Sequence, residues 1–162
     1  MKPQLFLDCD GVMADFDTYT ESVFGLPPRK YEDMHGTKRF WADLQSHEDF
    51  YKKLPLMPDA LDLFHAVEHL DPIILTGLPL GDWAEPQKRA WGAWHFPQTK
   101  MICCPSKDKR NHMKPGDVIV DDWPKYKPLW EEAGGIFILH TSAKESIAEL
   151  RRIGILETFI ED

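Results

Sequence analysis

FLDCDGVMADF, Phe6 to Phe16, runs an apolar stretch into two carboxylates, Asp8 and Asp10, closes the pair with Gly11 and turns apolar again. Side chains alternate across a strand, so two aspartates at alternate positions of a strand end share a side. Carboxylates beside a core are costly unless a cation or a hydrogen-bond network compensates them. The pair asks for a positive partner.

The chain has 162 residues, 43% of them hydrophobic and 12% aromatic, enough to bury one good core with a small appended subdomain. Net charge is −8, and the acidic residues are spread along the chain. No broad basic face is available for a nucleic-acid backbone, which argues against polymeric DNA or RNA as a partner. A small anion can still bind where a metal ion and a few lysines overcome the negative field. The opening MKPQLFLDCD carries one lysine and too short an apolar stretch for a signal-peptide core or a membrane span. Three cysteines, Cys9, Cys103 and Cys104, cannot build a disulfide framework, and adjacent cysteines rarely pair. A cytoplasmic protein with reduced thiols and no membrane partner is expected. The sequence is compatible with a monomer or a homodimer.

Short apolar runs alternate with amphipathic segments, the pattern of an α/β protein whose parallel sheet is flanked by helices. The expected strands are Leu5 to Asp8, Ile73 to Thr76, Lys100 to Cys103, Val118 to Asp121 and Gly135 to Leu139. After Pro58, residues Ala60, Leu63, Phe64, Val67 and Leu70 repeat at helical spacing. Trp83 to Phe96 reads as a helix carrying Trp91 and Trp94, and Ser142 with Glu145 forms a capping box opening a helix to Arg152. The tail GILETFIED has room for one more short element. Between the first two strands lies far more chain than one crossover helix needs. That segment is rich in aromatics and broken at GLPPRK and MHGT, so a small helical lid is expected there. Residues 1–14 and 72–162 then form the core. Residues 15–71 form the cap with a return helix, 58–71, packed on the core, all within one compact unit.

Three strands end in residues suited to phosphate and metal: Asp8 and Asp10, then Thr76 and Gly77, then Asp121 and Asp122. In an open parallel sheet the carboxyl ends of the strands form the ligand crevice, where all three sets converge. Carboxylates gathered at one point repel one another unless a hard divalent cation sits among them, and oxygen ligands suit magnesium. The loop PSKDKRNH brings Lys107, Lys109 and Arg110 to the same edge. Carboxylates, magnesium and a lysine together describe phosphoryl transfer: one aspartate attacks phosphorus, and a second carboxylate protonates the leaving alcohol and later activates water. Asp8 and Asp10 fit those two roles.

These motifs carry a family resemblance. DCDGV (8–12) resembles the first motif of the haloacid dehalogenase superfamily in its phosphatase form, ILTG (74–77) the second, a lysine of PSKDKR the third and VIVDD (118–122) the fourth. More narrowly, DGVMADF, DFYKKLPLMPDA (49–60), EPQKRAWGAWHF (85–96) and GDVIVDDWP (116–124) are similar to the 5′(3′)-deoxyribonucleotidases. The resemblance implies a Rossmann-like core with a small helical cap between the first two motifs. It implies Asp8 as nucleophile and magnesium ligand, and Asp10 as general acid and base, binding metal through its backbone carbonyl. Thr76 and the Gly77 amide would hold phosphate, Asp121 would ligate magnesium, and Asp122 would stand behind it. Lys109 is the preferred charge-neutralising lysine, with Lys107 as its rival. Phe16 matches a position lining the base pocket, and Trp41 and Tyr51 are candidates by proximity. The implied substrate is a small phosphorylated molecule, a nucleoside monophosphate in the close family. Gly77 and Trp123 stand where the animal nucleotidases have serine and arginine, and both changes bear on substrate choice.

Other features carry a structural reading. His65 and His69 lie four apart without an acidic or cysteine partner, and read as an exposed or core-edge face. Cys103 and Cys104 close a strand, and Cys9 faces away from the aspartates into the core.

Overall fold

The computed structural model describes residues 2–158. Five parallel strands, β1 (Leu5–Leu7), β2 (Ile73–Gly77), β3 (Met101–Cys104), β4 (Val118–Asp121) and β5 (Ile136–Leu139), form one sheet in the order β3-β2-β1-β4-β5. This is a Rossmann-like α/β fold. Each strand falls within a residue or two of its expected place, and β1 is central because both neighbours pair with it, Leu7 against Ile74 and Val120. Its three residues are fully buried, as a strand covered on both faces demands.

The long segment between β1 and β2 is helical. α1 (Phe16–Phe24) starts where the Asp15 carboxylate accepts the Thr18 N–H at 3.2 Å and ends at Gly25, whose φ of 80° is the left-handed terminator. α2 (Pro28–His35) opens on proline, stops at Gly36, and is followed at once by α3 (Thr37–Ser46). A 3-10 turn, Tyr51–Lys53, leads back toward the sheet. α4 (Ala60–Val67) begins one residue after Asp59, and the Asp59 carboxylate accepts the Ala143 N–H at 2.7 Å. Leu70 of the expected helix lies in a separate 3-10 turn, Glu68–Leu70. α5 (Ala84–His95), α6 (Lys127–Glu132) and α7 (Ala143–Arg152) complete the helical layers. Ser142 caps α7, its hydroxyl accepting the Glu145 N–H at 3.1 Å. In the tail, residues 154–158 form no helix or strand, and 159–162 lie outside the described residues.

Apolar side chains sort to two sides of the sheet. Leu5, Leu7, Ile74, Val118 and Val120 join Phe40, Leu44, Phe50 and Leu54 of the long segment in one cluster. Phe6, Leu75, Ile119 and Trp130 make a smaller cluster on the opposite face. Because side chains alternate, two residues further along the strands that second face continues to Asp8, Gly77 and Asp121. Cys9 turns the other way and is buried in the larger cluster. No helix among the described residues is long and apolar enough to cross a membrane.

Candidate active site

Past β1 the backbone turns sharply. The Asp8 N–H donates to the Val120 carbonyl at 2.9 Å, and the N–H groups of Val12, Met13 and Ala14 all point at the Cys9 carbonyl. Gly11 makes this turn at φ +82°, and a Cβ there would stand 1.8 Å from the Asp122 Oδ2. The glycine is thus required twice, for its torsion and for the closeness of the Asp122 carboxylate. The loop after β1 and the end of β4 are pressed together.

Lys109 joins them. It lies in the 3-10 helix Ser106–His112, and its Nζ donates to Asp8 Oδ1 at 2.9 Å and to Asp121 Oδ2 at 3.1 Å. All three groups are buried. Lys107, its rival in the sequence, is exposed. Carboxylate oxygens of Asp8, Asp121 and Asp122 lie within 4.8 Å of one another. Burial, and next Asp121, push the Asp8 carboxyl up to about 6 against the opposing pull of Lys109. Asp122 is driven upward too, first by desolvation and then by Asp8 and Asp121; it is exposed at the mouth, so solvent screens part of that push. One ammonium does not neutralise three carboxylates. An all-oxygen donor set with surplus negative charge fits a hard divalent cation such as magnesium, with Asp8, Asp121 and Asp122 able to hold it.

A second buried lysine was not read from the sequence. Lys88 of α5 is 2% exposed, and its Nζ donates to Asp10 Oδ2 and to Thr76 Oγ1, each at 2.8 Å. Its ammonium also lies 4.4 Å from the centre of the Tyr51 ring. Burial works against the charge, but Asp10 outweighs it and holds the Lys88 pKa above that of an ordinary lysine. Asp10 is thereby fixed by one oxygen, and its Oδ1 is left without a hydrogen-bond partner in the interior. The signal was present in the spacing: Ala84, Lys88 and Trp91 recur at i, i+4 and i+7, so Lys88 sits on the buried stripe of its own helix. Trp91 and Gln87 of that helix also reach the long segment, Trp91 donating to the Leu54 carbonyl at 2.8 Å and Gln87 accepting the Tyr51 N–H at 2.9 Å.

The aromatic candidates divide. Phe16 and Tyr51 stack with centroids 6.2 Å apart, and both meet Phe50 edge-on. Tyr51 is buried, with Trp83 on its other side at 5.4 Å. Trp41 packs instead on Phe40 of α3. Trp123, next to the paired aspartates, donates its backbone N–H to Asp121 Oδ1 at 3.0 Å and leaves its indole exposed, with Lys125 Nζ 5.1 Å from the ring centre. His65 and His69 are exposed and outside the acidic group, and His69 falls beyond the end of α4.

No family model and no curated protein matches the chain in sequence. Solved structures do match. L-2-haloacid dehalogenase from Xanthobacter autotrophicus, with chloropropionic acid covalently bound, superposes with a TM-score of 0.52 at 12% identity, over 98% of this chain and 85% of the other. The two chains share a fold. A hydrolase from Streptococcus pneumoniae TIGR4 gives a TM-score of 0.49 at 15% identity, over 94% of this chain and 98% of that one. At such identities the likeness speaks of architecture, and the chemistry rests on the residues at the strand ends.

Proposed function

We propose that this chain is a magnesium-dependent phosphomonoester hydrolase of the haloacid dehalogenase superfamily, working through an aspartyl-phosphate on (deoxy)nucleoside monophosphates. One observation carries the chemistry: Lys109 bridges Asp8 and Asp121 while Lys88 independently ties Asp10 to Thr76, giving two differently supported aspartates two residues apart.

The roles follow from those supports. Asp8 attacks phosphorus, its carboxylate oxygen forming the new P–O bond as the bond to the leaving oxygen breaks. Asp10 delivers a proton to that oxygen, releasing an alcohol. Water then attacks the acyl phosphate, gives its proton to Asp10, and frees inorganic phosphate and Asp8. The Asp10 side chain is partly exposed while Lys88 holds its Oδ2, which supports a carboxyl fixed in orientation yet reachable by substrate. Lys109, and the Thr76 hydroxyl with the Gly77 amide, offset charge on the phosphoryl oxygens. Asp8, Asp121 and Asp122 would hold a magnesium ion, which would supply positive charge beside the nucleophile and Lewis-acid assistance to the phosphoryl group. Asp10 also separates this reading from dehalogenation, which needs no proton for its leaving group.

Phe16, Tyr51 and Trp41 are the candidates for contact with the base, and Gly77 and Trp123, in place of a hydroxyl and a guanidinium, bear on which nucleotide is chosen. Residues 15–71 serve as the cap over a core of 1–14 and 72–162. Three free thiols accord with a reducing cytoplasmic setting. A phosphate-release screen over nucleoside monophosphates, sugar phosphates and amino-acid phosphates, with magnesium and then with chelator, tests the proposal. Release led by deoxynucleotides and stopped by chelation is expected. A ranking led by sugar phosphates would redirect the substrate, and no release from any ester would leave a phosphate-binding sensor.

A further inference from the structure

We infer that the Ser106 hydroxyl is a phosphate-binding donor of this site, occupying the space that a side chain at residue 77 would fill. The inference rests on the hydrolase reading for its ligand but on different atoms. A Cβ built on Gly77 would lie 1.9 Å from Ser106 Oγ and 3.2 Å from Ser106 Cβ. Gly77 keeps an ordinary backbone torsion, so it is space and not conformation that asks for glycine here. The direction of that missing side chain is known from the register. Leu75 shares its face with Phe6 and Ile119, and two residues on the same face carries Gly77, Asp8 and Asp121. Ser106 Oγ therefore stands on the nucleophile's side of the sheet, at the end of the strand beside β1.

Its own helix gives the same placement. In a 3-10 helix residues i and i+3 eclipse, so Ser106 and Lys109 share a face, and Lys109 on that face reaches Asp8. Ser106, Lys109 and Asp121 line one small cleft. The hydroxyl has no structural duty to occupy it: no side chain caps this helix, and the Ser106 hydroxyl makes no hydrogen bond to another described residue. A half-buried, unpaired hydroxyl that shares a cleft with Lys109 and Asp121, and a sheet face with Asp8, is placed to donate to an equatorial oxygen of the phosphoryl group.

The test is calorimetric titration of inorganic phosphate, with magnesium present, into the wild-type chain, Ser106→Ala and the double variant Ser106→Gly/Gly77→Ser. Ser106→Ala should bind phosphate roughly tenfold more weakly, the worth of one hydrogen bond to a charged group. The double variant, which returns a hydroxyl to the same space from β2, should recover most of that loss. Unchanged affinity in Ser106→Ala, or a double variant no better than Ser106→Ala, overturns the inference. Binding is read without turnover, so a wild-type chain that binds phosphate yet hydrolyses no ester refutes the hydrolase reading and not the role of Ser106.

Discussion

Lys88 shows how much one buried ammonium decides. It holds a carboxylate that is 29% exposed and a fully buried hydroxyl, and it does so from a helix that also grips the segment before β2. In Lys88→Met both partners lose their donor. Thermal melting should show a loss of about 3 kcal/mol, the cost of stripping one partner from a largely buried pair. Turnover should separate by leaving group. With an alkyl phosphomonoester kcat should fall by roughly a hundredfold, the scale of general acid catalysis; p-nitrophenyl phosphate, whose leaving group needs no proton, should lose far less. Equal losses on both would show that Lys88 acts only on the fold. Asp8→Asn should abolish hydrolysis while melting at or above the wild-type temperature, since it removes a carboxyl that burial disfavours. Asp8 and Asp10 were legible because alternation after an apolar run is a local pattern. Lys88 was not, because a lysine in an amphipathic helix is read as solvent-facing until the neighbouring tryptophan fixes which face is buried. Ser106 depends on a contact between the ends of β2 and β3, which spacing cannot show.

At the scale of elements, the tightest joint is the turn after β1. Gly11→Ala puts a methyl group where the Asp122 carboxylate stands, at a torsion that side chains rarely adopt. It should cost about 1–3 kcal/mol in stability, and magnesium binding, measured by titration, should weaken because Asp122 must move. A variant with wild-type magnesium affinity would show that Asp122 is not part of the metal site. Strands and the longer helices were legible to within a residue or two because their periodicity is strong: the buried runs of β1 and β4 and the Ser142 cap of α7 are all local signals. The end of α4 was not. The pattern continues to Leu70, but the backbone tightens at Glu68 and turns left-handed at Asp71 before β2. Likewise the aromatic segment announced helices but not their partners, so Phe16 and Tyr51 meet each other while Trp41 faces Phe40.

The whole molecule carries a charge of −8 and concentrates three carboxylates at one end of its sheet, which ties stability to pH and to metal. Asp8 titrates from about 3.8 in the unfolded chain to about 6 in the folded one. Between those values the folded chain binds more protons, so the contribution of this group falls as pH rises through that window. Asp122, also raised, acts in the same sense. Lys109 is raised in its turn because Asp8 and Asp121 outweigh its burial; its contribution is complete below the ordinary lysine pKa and is lost only at strongly alkaline pH. Melting curves with chelator, compared with magnesium-loaded ones, should therefore show a deficit that grows from about pH 4 toward neutral pH, because the cation takes the place of the protons that the site loses. A metal-free chain as stable at neutral pH as the magnesium-loaded one would argue against the site. The central claim, that Asp8 takes the phosphoryl group, is tested most directly by mass spectrometry of Asp10→Asn quenched in acid during reaction with p-nitrophenyl phosphate and magnesium. The first step survives with this leaving group while the second lacks its base, so the peptide containing Asp8 should carry a phosphoryl group. A phosphoryl group on another residue, or none while the wild-type chain turns over the same ester, would contradict the account.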